Sequence, residues 1–301
     1  MRFLPAILLL GAFALAAPPE EETKTPADPW SVEKPASRPE GDPMTLRIAL
    51  EPGMAHKLDA TITQDMKTNV GPSSMAMGMT VWLRVLRKND KGQAEVEVPL
   101  QLTKMTQNGA DQLAMAKTVM NDPKLFATID DRGEIVPGTF RAEGLGPFAG
   151  QMESQIANLF GYLPPDAVRV GESWEVPVEA LAKQISIKGG KLEGTAYQVL
   201  EAVEERDGAR CARVKTLLTF TLTGDNLQMP GGLPPAKGTI RAKGQGQSWH
   251  GLDGYVRASR VEMQVRMELN TMGMDLTFEG PATVSIAGGP EPFFRTTEGE
   301  E

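Results

Sequence analysis

The stretch SSMAMGMTVWLRVLRKNDKGQAEVEVPLQL, Ser73 to Leu102, alternates side-chain character on both sides of a single turn. Met75, Met77, Met79, Val81, Leu83 and Val85 share one parity, opposite Ala76, Gly78, Thr80, Trp82 and Arg84. After Asn89-Asp90-Lys91-Gly92, the residues Ala94, Val96, Val98, Leu100 and Leu102 face one way and Glu95, Glu97 and Gln101 the other. A period of two sustained over that length is strand chemistry, with one face buried and one wet. Asp, Asn and Gly tolerate the positive φ angles of tight hairpins, so the chain doubles back at Asn89–Gly92.

The same signals recur. Asp130-Asp131-Arg132-Gly133, Arg206-Asp207-Gly208 and Leu252-Asp253-Gly254 are further turns. Val261, Met263, Val265, Met267 and Leu269 oppose Glu262, Gln264, Arg266 and Glu268. Beyond Asn270 the parity moves to Met272, Met274, Leu276 and Phe278, which requires a turn or a bulge near Asn270 and Thr271. The chain is therefore expected to be mainly β, a large antiparallel twisted sheet or half-barrel.

One segment departs from this pattern. In Pro147–Asp166, the residues Phe148, Met152, Ile156, Leu159 and Phe160 form a helical stripe, with Pro147 in the first turn, Gly161 as cap and Pro164-Pro165 as stop. An amphipathic helix at about 147–161 is expected on the concave face of the sheet. A weaker helical candidate is Val178 to Gln184. The β-rich halves on either side each carry a methionine-rich strand, read as a distant duplication or as convergent strand composition.

The ends are different in kind. MRFLPAILLLGAFALAAPP has one basic residue, Arg2, an apolar run from Phe3 to Ala17 and an Ala14-Leu15-Ala16 cleavage pattern, so residues 1–16 read as a signal peptide. The run falls short of the roughly 20 apolar residues that cross a bilayer. Residues 17–43, rich in proline and acidic residues, are expected as a disordered spacer, and 289–301 as a flexible tail. The β domain is placed at 44–288, with no transmembrane segment in the mature chain. The expected location is exported, periplasmic or extracellular.

LPPDAVRVGESWEVPVEAL, with Val170-Gly171-Glu172-Ser173-Trp174 and Val176-Pro177, resembles a segment of an uncharacterised family of secreted bacterial β proteins. Long curved strands with a lone helix are similar in outline to the half-barrel of LolA/LppX-type lipoprotein and lipid carriers. The resemblance implies an architecture and a lipid-carrying role, and it supplies no catalytic residue.

The net charge of -8 excludes a uniform basic footprint for nucleic acid. With Cys211 as the single cysteine, no intrachain disulfide can form. Signals for catalysis are sparse. His56 and His250 read as solvated strand-end histidines, and Cys211 as a partly covered, inert thiol. Asp130-Asp131 suits a hairpin better than an acid–base pair, and no calcium loop or phosphate loop is present. Gly244 and Gly246 permit bending or close packing, Trp174 packs a core edge, and Trp82 and Trp249 flank a groove or cover the sheet.

The sixteen methionines carry three readings. Met75, Met77 and Met79 form ordinary core, an adaptable wall for an apolar ligand, or a thioether site for Cu(I). No Cys or His accompanies the run and Val81 to Val85 continue its face, so no metal or cofactor is assigned. The expected role is non-enzymatic: binding an apolar ligand, a lipid or a lipid-bearing envelope partner. The residues assigned to it are Met75, Met77, Met79, Met263, Met267, Met272 and Met274 with helix residues Phe148, Met152 and Ile156. A structural or protein-interaction domain with a closed core is the alternative, and a hydrolase the third.

Overall fold

A computed structural model describes residues 29–119, 123–143, 162–177, 189–228 and 234–292. Its frame is eight long strands: β2 (Met54–Thr68), β3 (Gly71–Lys88), β4 (Ala94–Gln107), β10 (Lys191–Arg206), β11 (Ala209–Leu227), β12 (Ala236–Gly251), β13 (Val256–Thr271) and β14 (Met274–Pro292). At about 3.4 Å per residue they are roughly 48–65 Å long. Short strands complete the set: β1 (Glu40–Met44), β5 (Ala110–Asp111), β6 (Lys124–Ile129), β7 (Arg141–Glu143), β8 (Val168–Val170) and β9 (Ser173–Val176). The order in the 12-stranded sheet is β7-β6-β4-β3-β2-β14-β13-β12-β11-β10-β9, with β5 on β4. All described pairings are antiparallel, and the sheet is not closed into a barrel.

Local chemistry sets the hairpins. Asn89 Oδ1 accepts from the backbone N–H groups of Lys91 and Gln93, both at 3.0 Å. Asp130 Oδ1 does the same for Arg132 and Glu134. Asp207-Gly208 turns β10 into β11 with φ of 51° and 74°. The parity change after Asn270 is a two-residue turn, Met272-Gly273, with φ of 53° and 77°. Antiparallel β2–β14 pairing, Met54↔Pro292 to Thr68↔Phe278, joins the two ends of the β domain.

The sheet is strongly curved. Ile48 N–H donates to the Asp131 carbonyl (2.7 Å) and Ala49 N–H to the Asp253 carbonyl (2.8 Å). Adjacent residues of one segment thus touch the end of β6 and the β12–β13 turn, which stand five strands apart in the sheet order. Leu46, Ile48 and Leu50 on that segment are buried and plug this end of the half-barrel.

Because the strands are so long, the concave face carries two cores rather than one. The first takes Leu58 to Met66, Met77, Leu102, Met105, Leu218 to Leu227, Ile240 and Val261 to Leu269. The second takes Leu46 to Leu50, Val81 to Val85, Ala94 to Leu100, Ile129, Leu200 and Val214. They meet at Met79, which packs against both. The same place holds a bulge: Gly78 pairs Lys104 and Met79 pairs Leu102, leaving Thr103 extra. A Cβ on Gly78 would lie 2.9 Å from Thr103 Oγ1, so the glycine makes room for the extra residue.

Several expectations change. The helix expected at 147–161 and the candidate at 178–184 lie outside the described residues. The helix among the described residues is α1 (Leu113–Val119), seven residues packed through Leu113 and Ala116 on the first core. Residues 29–43, expected as part of the spacer, lie on the protein. Arg38 N–H donates to the Gly171 carbonyl (2.8 Å), Ser173 N–H to Ser37 Oγ (3.2 Å), and β1 pairs β8. Strand β14 likewise continues to Pro292, past the expected boundary at 288.

Candidate functional site

The methionine-rich end of the half-barrel is the first core. Met77 pairs across the sheet with Ile62 and Met105, and Met263 with Gly244 and Ala282. A Cβ on Gly244 would stand 2.7 Å from Met263 Cγ, so the glycine expected to allow close packing does so against a methionine. Met267 lies between Ile240 and Phe278.

The structure brings only part of the expected set together. Met77, Met263 and Met267 are buried in one cluster, with Met66 and Met105 beside them. Met75 and Met79 are half-buried against the same cluster, together with Leu192, Tyr162 and Phe278. Met272 and Met274 stand apart: they form the β13–β14 tip and are 77% and 44% exposed. Phe148, Met152 and Ile156 lie outside the described residues. Met66 and Met105 were missed by the sequence reading. Leu102 and Met105 are both buried although three apart, and that break in parity is the trace the bulge leaves in the sequence.

At the plugged end the histidines reverse the expectation. His56 and His250 are not solvated: they are 2% and 4% exposed, on the inner face. Residues 46–50 and the β12–β13 turn fold over these strand ends, which no local pattern reports. His56 Nε2–H donates to the Val256 carbonyl (2.7 Å), and the ring stacks on Tyr255 with centroids 4.6 Å apart. His250 Nε2 lies 2.9 Å from Ser248 Oγ. Burial, only partly offset by the hydrogen bond to the Val256 backbone, lowers His56 to about 4. Burial lowers His250 to about 4 as well, against a smaller opposing effect of the Gly254 backbone. Both rings are therefore neutral at pH 7.

Cys211 is also fully buried rather than partly covered, because Leu252 N–H bonds back to the Arg210 carbonyl and folds the turn over it. Burial raises its thiol pKa, which keeps it protonated and unreactive. Nearby, Arg257 Nη2 donates to Asp253 Oδ2, while its Nε and Nη1 are buried without a partner.

Trp174 packs a core edge, against the second core, with its Nε1–H on Gln198 Oε1 (2.9 Å). Trp249 donates to Glu204 Oε1 (2.6 Å) under the Arg206 guanidinium, 4.1 Å from the ring centroid. A separate recess of about 530 Å³ lies beside the β3–β4 hairpin and β6, with Arg87, Glu95 and Arg141 in its lining. Glu95 pairs with both arginines, and with Lys88 also in the lining the recess is polar with cations in excess. Among the described residues no group of three His, Cys, Asp or Glu is arranged to hold a metal ion. No helix among them is long and apolar enough to cross a membrane.

No protein-family model matches the chain, and no curated protein matches it. Among solved structures it is similar to lipovitellin at 8% identity, over 83% of this chain and 26% of that one, with a TM-score of 0.43. The chain thus spans about a quarter of lipovitellin's length. A protein of YmcC-like fold from Bacteroides fragilis matches at 11% identity, over 80% and 97% of the two chains, with a TM-score of 0.26. A domain named for outer-membrane lipoprotein sorting, from Vibrio parahaemolyticus, matches at 8% identity over 81% and 87%, with a TM-score of 0.13. At these scores the likenesses carry no argument about what the chain does.

Proposed function

We propose that this protein is a non-enzymatic, exported binding protein that shelters an apolar chain, a lipid or the lipid of a lipid-bearing envelope partner, at the methionine-rich end of its half-barrel. The observation that carries this reading is the margin of the first core. A continuous apolar cluster crosses β2 to β4 and β9 to β14 in an open sheet, and Met75, Met79, Tyr162, Leu192 and Phe278 at its edge are only partly covered. Methionine is unbranched and polarizable, so a wall of it fits varied apolar shapes. Export rests on the reading of residues 1–16 as a signal peptide.

The second reading, a structural or protein-interaction domain with a sealed core, is favoured by the near-complete burial of Met77, Met263 and Met267. Native mass spectrometry of protein purified from its own envelope separates the two. The binding reading expects co-purifying lipid that organic extraction removes, and a rise in unfolding temperature when lipid is restored. A ligand-free protein that neither binds a fluorescent fatty acid nor gains stability from lipid belongs to the second.

A further inference from the structure

Six large hydrophobic residues are exposed among the described residues, and they are not scattered. Met54 and Leu252 lie at the plugged end; Val70, Met115, Met272 and Met274 lie at the other. Val70 occupies the β2–β3 turn and Met272 the β13–β14 turn, neighbouring hairpins because β2 pairs β14. Asn69 joins the two tips. Its Nδ2 donates to the Asp275 carbonyl (2.7 Å), its Oδ1 accepts from Thr277 N–H (3.2 Å), and its own N–H donates to the Thr277 carbonyl (3.3 Å). Asn270 Nδ2 holds Asp275 Oδ1 at 2.7 Å. The paired tip is preorganised, and much of its polar backbone is already hydrogen-bonded within the protein.

Met272 also breaks the turn chemistry that the rest of the chain obeys. Three residues other than glycine have positive φ among the described residues, each followed by glycine: Asn108-Gly109, Asp207-Gly208 and Met272-Gly273. Asn and Asp tolerate that conformation; an unbranched apolar side chain gains nothing from it and is 77% exposed. A position unfavourable both for the backbone and for solvation is where a functional demand overrides folding.

We infer that the paired β2–β3 and β13–β14 tips dock on a zwitterionic lipid surface, with Val70, Met272 and Met274 entering the boundary between headgroups and acyl chains. Two observations select this occupant. The exposed apolar surface, on the order of 400 Å², belongs to three side chains on two hairpin tips, so a protein partner would have to draw the rest of the roughly 800 Å² that a standard interface buries from the polar residues around them. A shallow lipid anchor has no such minimum and gains from each apolar group it inserts. The net charge of -8 repels an anionic layer and leaves a neutral one. The docking does not require a ligand in the interior, and a protein that holds no lipid inside but still binds vesicles keeps this inference while losing that reading.

The test is flotation of the purified chain with phosphatidylcholine vesicles. Wild type is expected to float, unaffected by raising salt from 0.1 M to 0.5 M, because no charge attraction is involved. Met272→Asn accepts the turn conformation, as Asn108 does, and is expected to fold with unchanged or higher stability while losing about tenfold in partitioning. The triple variant Val70→Ser, Met272→Asn, Met274→Thr should not float, and Leu252→Ser at the opposite end should float as wild type does. Wild type that stays in solution overturns the inference, as does a folded triple variant that still floats. Concentration-dependent dimerisation that is abolished in the triple variant, without vesicle binding by wild type, overturns it in favour of a second copy of the chain.

Discussion

Ser248 Oγ lies 2.9 Å from His250 Nε2, two residues along the inner face of β12 and out of reach of water. The native ring is neutral and takes a proton only near pH 4, whereas an unfolded histidine does so near 6.5. His56 behaves alike. In the window between these values the unfolded chain binds more protons, so stability rises with pH there and is lost as pH falls from 6.5 towards 4. Each ring contributes about 3 kcal/mol to that loss. Urea unfolding at pH 7.5, 6 and 5 should show falling midpoints, with a shallower fall in His250→Gln. An identical pH slope in the variant would count against the assignment.

Asp253 is the partner of a buried cation. Arg257 has its Nε and Nη1 unpaired, and the carboxylate of Asp253 meets its Nη2. Asp253→Ala leaves that charge uncompensated and should cost about 3 kcal/mol or more. The double variant with Arg257→Met should recover most of it. Equal losses in the two would place the effect in the turn itself, where Asp253 Oδ1 also accepts from Tyr255 N–H at 3.3 Å.

Gly171 sits where the N-terminal strap crosses. Its φ is 78°, it donates to the Leu200 carbonyl (2.6 Å), and a Cβ would overlap the Arg38 carbonyl. Gly171→Ala is expected to lift residues 29–44 from the sheet and open the bonds after Glu33 and Glu40 to a glutamyl endopeptidase under native conditions. Gly273→Ala is the control: its φ is 77°, but its surroundings are open. It should cost only about 1 kcal/mol of backbone strain and leave the glutamyl endopeptidase pattern unchanged.

Two methionines two residues apart on one strand face, Met77 and Met79, should separate stability from binding. Met77→Ala creates a cavity in sealed packing and should cost about 2–5 kcal/mol. Met79→Ala, at the half-open junction of the two cores, should cost less and weaken binding of a fluorescent fatty acid several-fold. Binding that follows stability in both variants would argue for a closed core.

Much of this architecture is local and therefore legible. Alternation in Ser73 to Leu102 and Val261 to Leu269 follows from a strand presenting successive side chains to opposite faces, and the Asp-Gly and Asn-Asp-Lys-Gly turns follow from tolerance of positive φ. Helix α1 was not legible: seven residues, Leu113–Val119, are too short to establish a helical period. The sequence by itself determined the strands, their inward faces and the tight hairpins between them. The tertiary structure alone decided that β2 closes on β14, that residues 46–50 plug one end and bury two histidines, and that hairpin tips gather Val70, Met272 and Met274 at the other. Those outcomes depend on pairing and curvature between residues as far apart as Asn69 and Asp275, and no alternation within a single strand encodes them.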